Sequence, residues 1–482
     1  MYPKSAQIYL FIIVITAPLL FFSCRASDDF ISPVKENTGS PAIENFDPVP
    51  SDAQLAWQDA ELVMFIHYGI NTFTGSDVGS GADSASLFAP DTVDIKQWVG
   101  VAKQAGFKYL ILTAKHHEGF CLWPSLYTEY SVKNSPWKNG QGDLVREFAD
   151  ECRAQGLIFG FYLSLWDKNH PGYGTPAYNE YYLNQMRELT TNYGEVGEIW
   201  LDGFLGWNNN LTYEDFSLRN YIALAKQNQP NSIMAIMGPD VRWVGNEDGL
   251  GSDTDWSWDW SNQTLHGFSG QKVWRPSECD VSIRPAWFYH EWQDALVKPA
   301  DSLVNLYFES VGKNSQLLLN VPPAPDGKFA APDVQSLLGF RQKLDMIFSS
   351  DLLWRKPSET LNTRDNAVYY SGSKALDADK NTFWAADNGV TYNELTVDLE
   401  GNTPLNIFRV EEAIKYGQRV ESFEIRGLVN GQWVKLTEGT TIGRSRILKL
   451  PQPVICSKVK LIIKKSLAAP AIRTFSAFMA EL

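Results

Sequence analysis

The sequence predicts an α/β fold, a (β/α)8-like TIM barrel, followed by an antiparallel β-sandwich of the jelly-roll type. Two observations predict this order. Over about 300 residues, continuous apolar runs alternate with segments of helical periodicity, which is typical of a parallel sheet covered on both faces. After Lys356 the helical spacing disappears, and short alternating apolar segments follow one another between turns, as in a sandwich.

Composition restricts the class of protein. The chain has 482 residues, of which 44% are hydrophobic and 20% charged. This indicates a globular protein of about two or three domains. The formal net charge is −14 and no basic run occurs, which argues against a nucleic-acid or anionic-membrane partner. The 17 tryptophans exceed what packing alone requires, and tryptophan-rich clefts commonly bind sugars.

Residues 1–24 have the layout of a secretory signal peptide, with Lys4 followed by an apolar run from Ile8 to Phe22. The small residue before Cys24 is typical of a bacterial lipoprotein cleavage site, although Phe21 matches that pattern poorly. Cleavage nearby without lipid attachment is the alternative. Residues 25–50 are predicted to be a tether. We therefore expect secretion across the inner membrane, to the periplasm or to the outer membrane through a lipid on Cys24.

Four further cysteines stand far apart in the sequence: Cys121, Cys152, Cys279 and Cys456. An oxidising compartment would permit pairing, but this spacing is not that of a small disulfide scaffold. No Cys-x-x-Cys occurs, so a thiolate zinc site is not expected.

The barrel is predicted over residues 51–353. Its predicted strands cover residues 62–69, 109–117, 158–166, 198–203, 232–237 and 316–321, and its predicted helices cover residues 95–102, 144–149, 181–189 and 334–353. No Gly-x-Gly-x-x-Gly follows the first strand, which favours a barrel over a dinucleotide-binding fold. The region from Gly238 to Trp292 is rich in Trp, Asp and Gly, as expected of long loops over a barrel mouth.

Polar side chains stand where the predicted strands end, which is where barrel enzymes place their chemistry. These ends carry His67, His116, His117, Trp166-Asp167 and Asp202. Because adjacent residues of a strand point to opposite sides, the pair His116-His117 is a poor metal site. Histidines that donate hydrogen bonds to sugar hydroxyls fit better. We expect no metal and no cofactor.

Four motifs in order resemble those of bacterial alpha-L-fucosidases of glycoside hydrolase family 29, over roughly residues 50–350. They are Phe65–Gly69, Lys115–Phe120, Trp200–Gly203 and Asn314–Pro323. The resemblance implies that Asp202 is the nucleophile and that His67, His116, His117 and Tyr162 bind fucose. Trp287, within Trp287-Phe288-Tyr289, is the candidate for packing against the C6 methyl group of fucose.

Three further segments resemble the branch of this family that cleaves α1,3/4-linked fucose from branched glycans: residues 71–75, 242–247 and 280–285. This implies that Glu247 is the acid/base and that Arg242 belongs to the substrate-binding residues. Glu118, Glu278 and Asp280 are the competing acids. One departure is that Asp77-Val78-Gly79 stands where the family pattern has Glu-Trp-Gly, which leaves the neighbouring hydroxyl contact open.

The resemblance thus implies a retaining exo-glycosidase that removes terminal alpha-L-fucose from a fucosylated oligosaccharide or glycoprotein glycan. Two other functions remain open from the sequence. One is a metal-dependent barrel hydrolase, which a chelator would inactivate. The other is a non-catalytic lipoprotein that captures glycans.

The C-terminal region, predicted as a sandwich over residues 356–482, resembles the discoidin-like modules of coagulation factors and carbohydrate-binding proteins. The matching segments are Ala375–Asp379, Thr382–Trp384 and Ile472–Phe478. The match implies a fold rather than a ligand. Asp377 and Asp379 fit either a calcium-stabilised loop or simple turn carboxylates.

Overall fold

A computed structural model describes residues 43–207, 209–260 and 270–481. The predicted signal peptide, Cys24 and most of the tether lie outside these residues. Lipid attachment therefore stays a prediction, which fatty-acid labelling with and without Cys24 would test. No helix among the described residues is both long and apolar enough to cross a bilayer. Residues Glu44–Leu482 form one compact unit.

Eight parallel strands form the barrel sheet in the order β5-β4-β3-β2-β1-β10-β9-β6. They are β1 Leu62–Ile66, β2 Tyr109–Lys115, β3 Ile158–Leu163, β4 Glu198–Leu201, β5 Ile233–Ile236, β6 Arg242–Trp243, β9 Ser277–Ser282 and β10 Gln316–Asn320. The strands β7 Trp258–Trp260 and β8 Lys272–Trp274 form a separate hairpin. Among the described residues no backbone ladder joins β5 to β6, so the barrel is nearly closed.

Helix α1 Asp52–Ala60 precedes the sheet, and its Trp57 packs into the core inside the barrel. Helices cover the outside of the sheet: α2 Ile70–Thr74, α3 Ile95–Gln104, α4 Leu144–Gln155, α5 Pro176–Asn192, α6 Leu218–Asn228, α7 Ala300–Glu309 and α8 Ala331–Ile347. Their ends follow from local sequence. Asp94 and Asp143 accept hydrogen bonds from the first-turn amides of α3 and α4, which satisfies donors that a helix leaves unpaired. Gly156 ends α4 in the left-handed conformation that glycine adopts without strain.

The strands alternate between two cores. On β1, Leu62, Met64 and Ile66 belong to the core under the helices, whereas Val63 and Phe65 belong to the core inside the barrel. On β4 the pattern is the same, with Ile199 and Leu201 facing the helices and Trp200 facing inward. Because strand side chains alternate with period two, the inward row of β4 runs from Glu198 through Trp200 to Asp202.

The predicted barrel strands are confirmed, with ends one to three residues shorter than the predicted ranges. The region from Gly238 to Trp292 differs from the prediction, because it contains β6 to β9 as well as loops. Strand β9 was missed because polar Glu278, Asp280 and Ser282 alternate along it. All six of its residues are nevertheless buried.

The antiparallel sandwich is confirmed after the barrel. Its strands are β11 Ser358–Thr360, β12 Trp384–Ala385, β13 Asn393–Glu412, β14 Val420–Val429, β15 Gln432–Gly439, β16 Arg446–Ser466 and β17 Ala471–Phe478. They pair in the order β12-β17-β13-β16-β14-β15, with β11 on β13. A separate apolar core, which includes Phe408, Leu461 and Phe475, fills the sandwich.

Barrel and sandwich share both apolar and charged contacts. Ile407, Ile447 and Phe478 of the sandwich belong to the same apolar cluster as the barrel helices. The buried guanidinium of Arg444 lies 3.0 Å from Glu61 at the start of the barrel and 2.9 Å from Glu411 in β13. The sandwich therefore forms part of the support of the barrel.

The structure shows the state of the four cysteines and the contacts of Asp377. Cys121, Cys152, Cys279 and Cys456 are buried free thiols. In the sandwich, the carboxylate of Asp377 accepts hydrogen bonds from the Thr382 hydroxyl at 2.8 Å and from the amide of Asp379 at 3.0 Å. These bonds close a turn, which is the second role considered for this carboxylate.

Candidate active site

A cavity of about 110 Å³ opens at the carboxyl ends of the barrel strands. Seven of the eight predicted site residues line it: Asp202, Glu247, His67, His116, His117, Tyr162 and Trp287. The other lining residues are Phe65, Asp77, Val78, Trp200 and Asp280. The eighth predicted residue, Arg242, is not in the lining. Its guanidinium forms an ion pair with Asp255 and donates to the carbonyl of Trp256 at 3.0 Å.

Asp202 lies one residue beyond β4, at the top of the inward row, and its side chain is 21% exposed. Its Oδ1 accepts a hydrogen bond from the amide of Phe204 at 2.7 Å, and its Oδ2 accepts one from the Tyr162 hydroxyl at 2.9 Å. The Nε2 of His117 is 3.7 Å from the same Oδ2. Loss of solvent raises the pKa of Asp202 to about 6, against the lowering effect of both hydrogen bonds.

The three histidines are uncharged near neutral pH, because burial lowers the pKa of each of them, that of His116 to about 3. The neighbours of two imidazoles assign their tautomers. The amide of Asn320 donates to Ser282, so its Oδ1 must accept from the Nδ1 of His67 at 2.7 Å. The Ser164 hydroxyl donates to the carbonyl of Trp166 and therefore accepts from the Nδ1 of His117 at 2.7 Å.

These tautomers change one expectation. Because Nδ1 carries the proton in His67 and His117, the Nε2 atoms of both rings hold lone pairs. These Nε2 atoms can therefore accept a hydrogen bond from a sugar hydroxyl. From the sequence we had expected the histidines to donate such hydrogen bonds. The imidazole of His116 lies 4.2 Å from that of His117, centroid to centroid.

The expectation that His116 and His117 point to opposite sides is wrong. Strand β2 ends at Lys115, so the strict alternation of a strand does not extend to the two histidines, and both line the cavity. Lys115 is buried, and its ammonium lies 3.0 Å from the carboxylate of Asp167. This ion pair holds the end of β2 in place. It also takes Asp167, another predicted strand-end residue, out of the cavity lining.

The candidate acids lie in three different environments. Glu247 is exposed, in the loop after β6, and lines the cavity. Asp280 on β9 lines it too but is buried, and loss of solvent raises its pKa to about 7. Glu278, two residues earlier, lies deeper in the barrel and outside the lining, where it accepts a hydrogen bond from the Trp200 indole at 2.9 Å. Glu118 is buried outside the lining, and desolvation raises its pKa to about 8.

Glu278 and Glu198 form a carboxyl pair under the cavity. They share a hydrogen bond, and loss of solvent raises the pKa of both carboxyls, that of Glu198 to about 8. Trp57 donates its indole N–H to Glu198 at 2.8 Å. The pair thus holds a proton at neutral pH and anchors the indoles of Trp57 and Trp200 from below.

The departure at Asp77-Val78 also faces the cavity. Asp77 accepts a hydrogen bond from the amide of Phe288 at 3.0 Å and lies 3.6 Å from the imidazole of His290. These contacts connect the loop after α2 to the segment of Trp287. The ring of Trp287 lies 5.2 Å from that of His67, and its carbonyl accepts from Asn320 at 2.8 Å.

Several lining residues were not predicted as site residues. Phe65 and Trp200 each precede a predicted site residue by two positions on the same strand, so the alternation of β1 and β4 would have identified them. Asp280 had been named only as a competing acid. It could not be assigned because β9 was not recognised as a strand.

Comparisons with known proteins find matches to both parts of the chain. The alpha-L-fucosidase family model matches residues 81–345, and the F5/8 type C domain model matches residues 358–474. Alpha-L-fucosidase 1 of Arabidopsis thaliana is 38% identical over 447 residues, which cover 90% of this chain and 88% of that protein.

Two solved structures show the same architecture. A glycoside hydrolase 29 family member from an unknown rumen bacterium is 38% identical, with a TM-score of 0.79 over 91% of this chain and 78% of that one. A GH29 fucosidase of Ruminococcus gnavus in complex with fucose is 29% identical, with a TM-score of 0.85 over 92% of this chain and 97% of that one. The chain therefore belongs to the alpha-L-fucosidases of glycoside hydrolase family 29 and carries a C-terminal F5/8 type C domain.

Proposed function

We propose that this alpha-L-fucosidase removes terminal α1,3/4-linked fucose from branched oligosaccharide or glycoprotein glycans, with retention of the anomeric configuration. The observation that carries the proposal is the environment of Asp202. Both oxygens of its carboxylate are held, one by a backbone amide and one by Tyr162, in a cavity that also contains Glu247 and three uncharged histidines. With a pKa of about 6, Asp202 is mostly ionised at neutral pH.

In the first step, a carboxylate oxygen of Asp202 attacks the anomeric carbon of fucose. The bond from that carbon to the glycosidic oxygen breaks, and Glu247 donates a proton to the departing oxygen. The product is a fucosyl ester of Asp202. This geometry needs the two carboxyl groups to stand about 5–5.5 Å apart when substrate is bound.

In the second step, Glu247 accepts a proton from a water molecule, and the oxygen of that water attacks the anomeric carbon. The ester bond breaks, and Asp202 is released as a carboxylate. Two displacements at one carbon restore the original configuration. The hydrogen bond from Tyr162 stabilises the carboxylate both before attack and as it leaves.

Fucose recognition rests on the walls of the cavity. The Nε2 lone pairs of His67 and His117 accept hydrogen bonds from sugar hydroxyls, and His116 stands between the two rings. Trp287 offers an aromatic face to the C6 methyl group, which distinguishes fucose from galactose. The linkage preference rests on the resemblance of residues 71–75, 242–247 and 280–285 to the α1,3/4-cleaving branch.

Replacement of Asp202 by Gly tests this function. The variant should lose turnover because the nucleophile is gone, while circular dichroism shows an unchanged fold. Azide, a small anion that fits the vacated space, should restore activity and yield β-fucosyl azide, of inverted configuration. The wild type under the same conditions should form none. Substantial unaided activity of Asp202→Gly, or an α-configured azide, would refute the assignment.

A further inference from the structure

Trp243 is a large aromatic residue that the fold leaves 41% exposed. Its indole N–H nevertheless donates to the Oδ1 of buried Asp280 at 2.7 Å, and Asp280 lines the cavity. The ring is thus fixed in direction while remaining open to solvent. An exposed tryptophan held in this way is a typical element of a sugar-binding surface, because its flat face covers the C–H groups of a pyranose.

The position of Trp243 relative to the two catalytic carboxyls indicates which sugar it meets. In a retaining displacement, the nucleophile and the departing oxygen lie on opposite faces of the anomeric carbon, and the acid stands beside the departing oxygen. Asp202 follows β4, whereas Glu247 follows β6 on the segment that begins with Arg242 and Trp243. Trp243 therefore belongs to the acid side of the cavity, where the leaving group departs.

We propose that the exposed face of Trp243 binds the pyranose ring that leaves with the glycosidic oxygen, and so selects for substrates in which fucose is attached to another sugar. This inference rests on the proposed function, because it uses Glu247 as the acid. The hydrogen bond to Asp280 orients the indole before substrate arrives, so little side-chain freedom is lost on binding.

A second exposed tryptophan provides a matched control. Trp207 is 60% exposed, and its ring lies 5.1 Å from that of Phe204 and 5.3 Å from that of Trp166. Phe204 and Trp166 in turn contact the ring of His117, which stands beside Asp202. Trp207 therefore lies on the nucleophile side and outside the cavity lining. It is comparable in type and exposure but opposite in position.

The experiment compares kcat/KM for an α1,3-fucosylated disaccharide with kcat/KM for α-L-fucosyl fluoride, which has no leaving sugar. The ratio of the two values cancels any loss of folded enzyme and any effect on fucose itself. In Trp243→Ala the ratio should fall about two- to ten-fold, the size of an aromatic contact, through a higher KM for the disaccharide. Trp243→Phe should keep most of the ratio, and Trp207→Ala should leave it unchanged.

Other outcomes overturn the inference. An unchanged ratio in Trp243→Ala would show that the ring does not touch the leaving sugar. An equal fall in Trp243→Phe would show that the hydrogen bond to Asp280, not the ring face, carries the effect. A fall in Trp207→Ala alone would place the leaving group on the opposite side. Failure of the wild type to hydrolyse fucosyl fluoride would count against the proposed function instead.

Discussion

Two carboxyl groups that line the cavity, Asp280 and Glu247, differ in their exposure to solvent. Asp280 is 4% exposed and, with a pKa of about 7, holds a proton for much of the time near neutral pH. Glu247 is exposed. The negative charge of Glu247 contributes to the raised pKa of Asp280, after the larger effect of burial.

Glu247→Gln should separate the roles of these carboxyls. Loss of the acid should slow hydrolysis of a natural glycan by about 10²- to 10⁴-fold, whereas formation of the fucosyl enzyme from an aryl fucoside with a good leaving group should slow much less. Single-turnover kinetics on both substrates measures the difference. Asp280→Asn, which keeps an acceptor for the Trp243 indole, is the matched control and should affect both substrates alike. If the leaving-group dependence appears in Asp280→Asn instead, Asp280 is the acid.

Individual strands differ in how far their sequences predicted them. The apolar strands β1 to β5 and β10 were evident because their inner and outer faces are both buried, which produces continuous apolar runs. Strand β9 carries Glu278 and Asp280 on its inner face, so its sequence resembles a loop. Only the tertiary structure supplies the Trp200 and Trp243 indoles that satisfy these carboxyls. The site residues differ in the same way. Asp202 could be predicted because it follows the apolar strand β4, whereas Asp280 could not be assigned to the cavity because β9 was not recognised as a strand.

The carboxyl pair between β4 and β9 should make stability depend on pH. Burial holds the folded-state pKa of Glu198 near 8, above the unfolded value of about 4.3. Ionisation is therefore penalised only in the folded state, and stability falls as the pH rises from about 4 to 8. Glu278→Gln removes one titrating group and keeps the hydrogen bonds. The melting temperature of this variant relative to wild type should rise between pH 5 and pH 8.

Glu195→Gln is the control for that measurement, because Glu195 precedes β4 but is exposed. Its melting temperature should follow that of the wild type at every pH. If the melting temperatures of Glu278→Gln and wild type instead change in parallel with pH, the pair of Glu198 and Glu278 does not hold a proton at neutral pH.

At the scale of the whole molecule, chemistry and support are divided between the two folds. Every residue that lines the cavity precedes α7, so we propose that the sandwich does no chemistry. Its contribution is the buried charge network around Arg444, which joins Asp59, Glu61 and Glu411. Removal of the residues after Lys356 would leave Asp59 and Glu61 without these partners.

Arg444→Ala should therefore destabilise the entire chain rather than the sandwich alone. The guanidinium is 4% exposed. Its carboxylate partners keep Arg409 and Arg473 as second partners, so the loss should cost less than the about 3–5 kcal/mol typical of a buried charge left without any partner. Denaturant unfolding monitored by tryptophan fluorescence and by loss of fucosidase activity should give one shifted midpoint. Lys435→Ala breaks an exposed ion pair with Glu438 within the sandwich and should change neither signal. A shift of the fluorescence midpoint without a shift of the activity midpoint would contradict the coupling between the sandwich and the barrel.

The gap in the barrel between β5 and β6 has a kinetic and evolutionary consequence. Strand β4, which leads to the proposed nucleophile, is bonded on both sides, to β3 and β5. Strand β6, which leads to Glu247, is paired only with β9 among the described residues. Backbone amides around Glu247 should therefore exchange with deuterium faster than those of β4. In the proposed mechanism, this mobility would let Glu247 move with the leaving group in the first step and with the attacking water in the second. We therefore expect mutations in the segment around β6 to change the linkage preference while β4 keeps Asp202 in place.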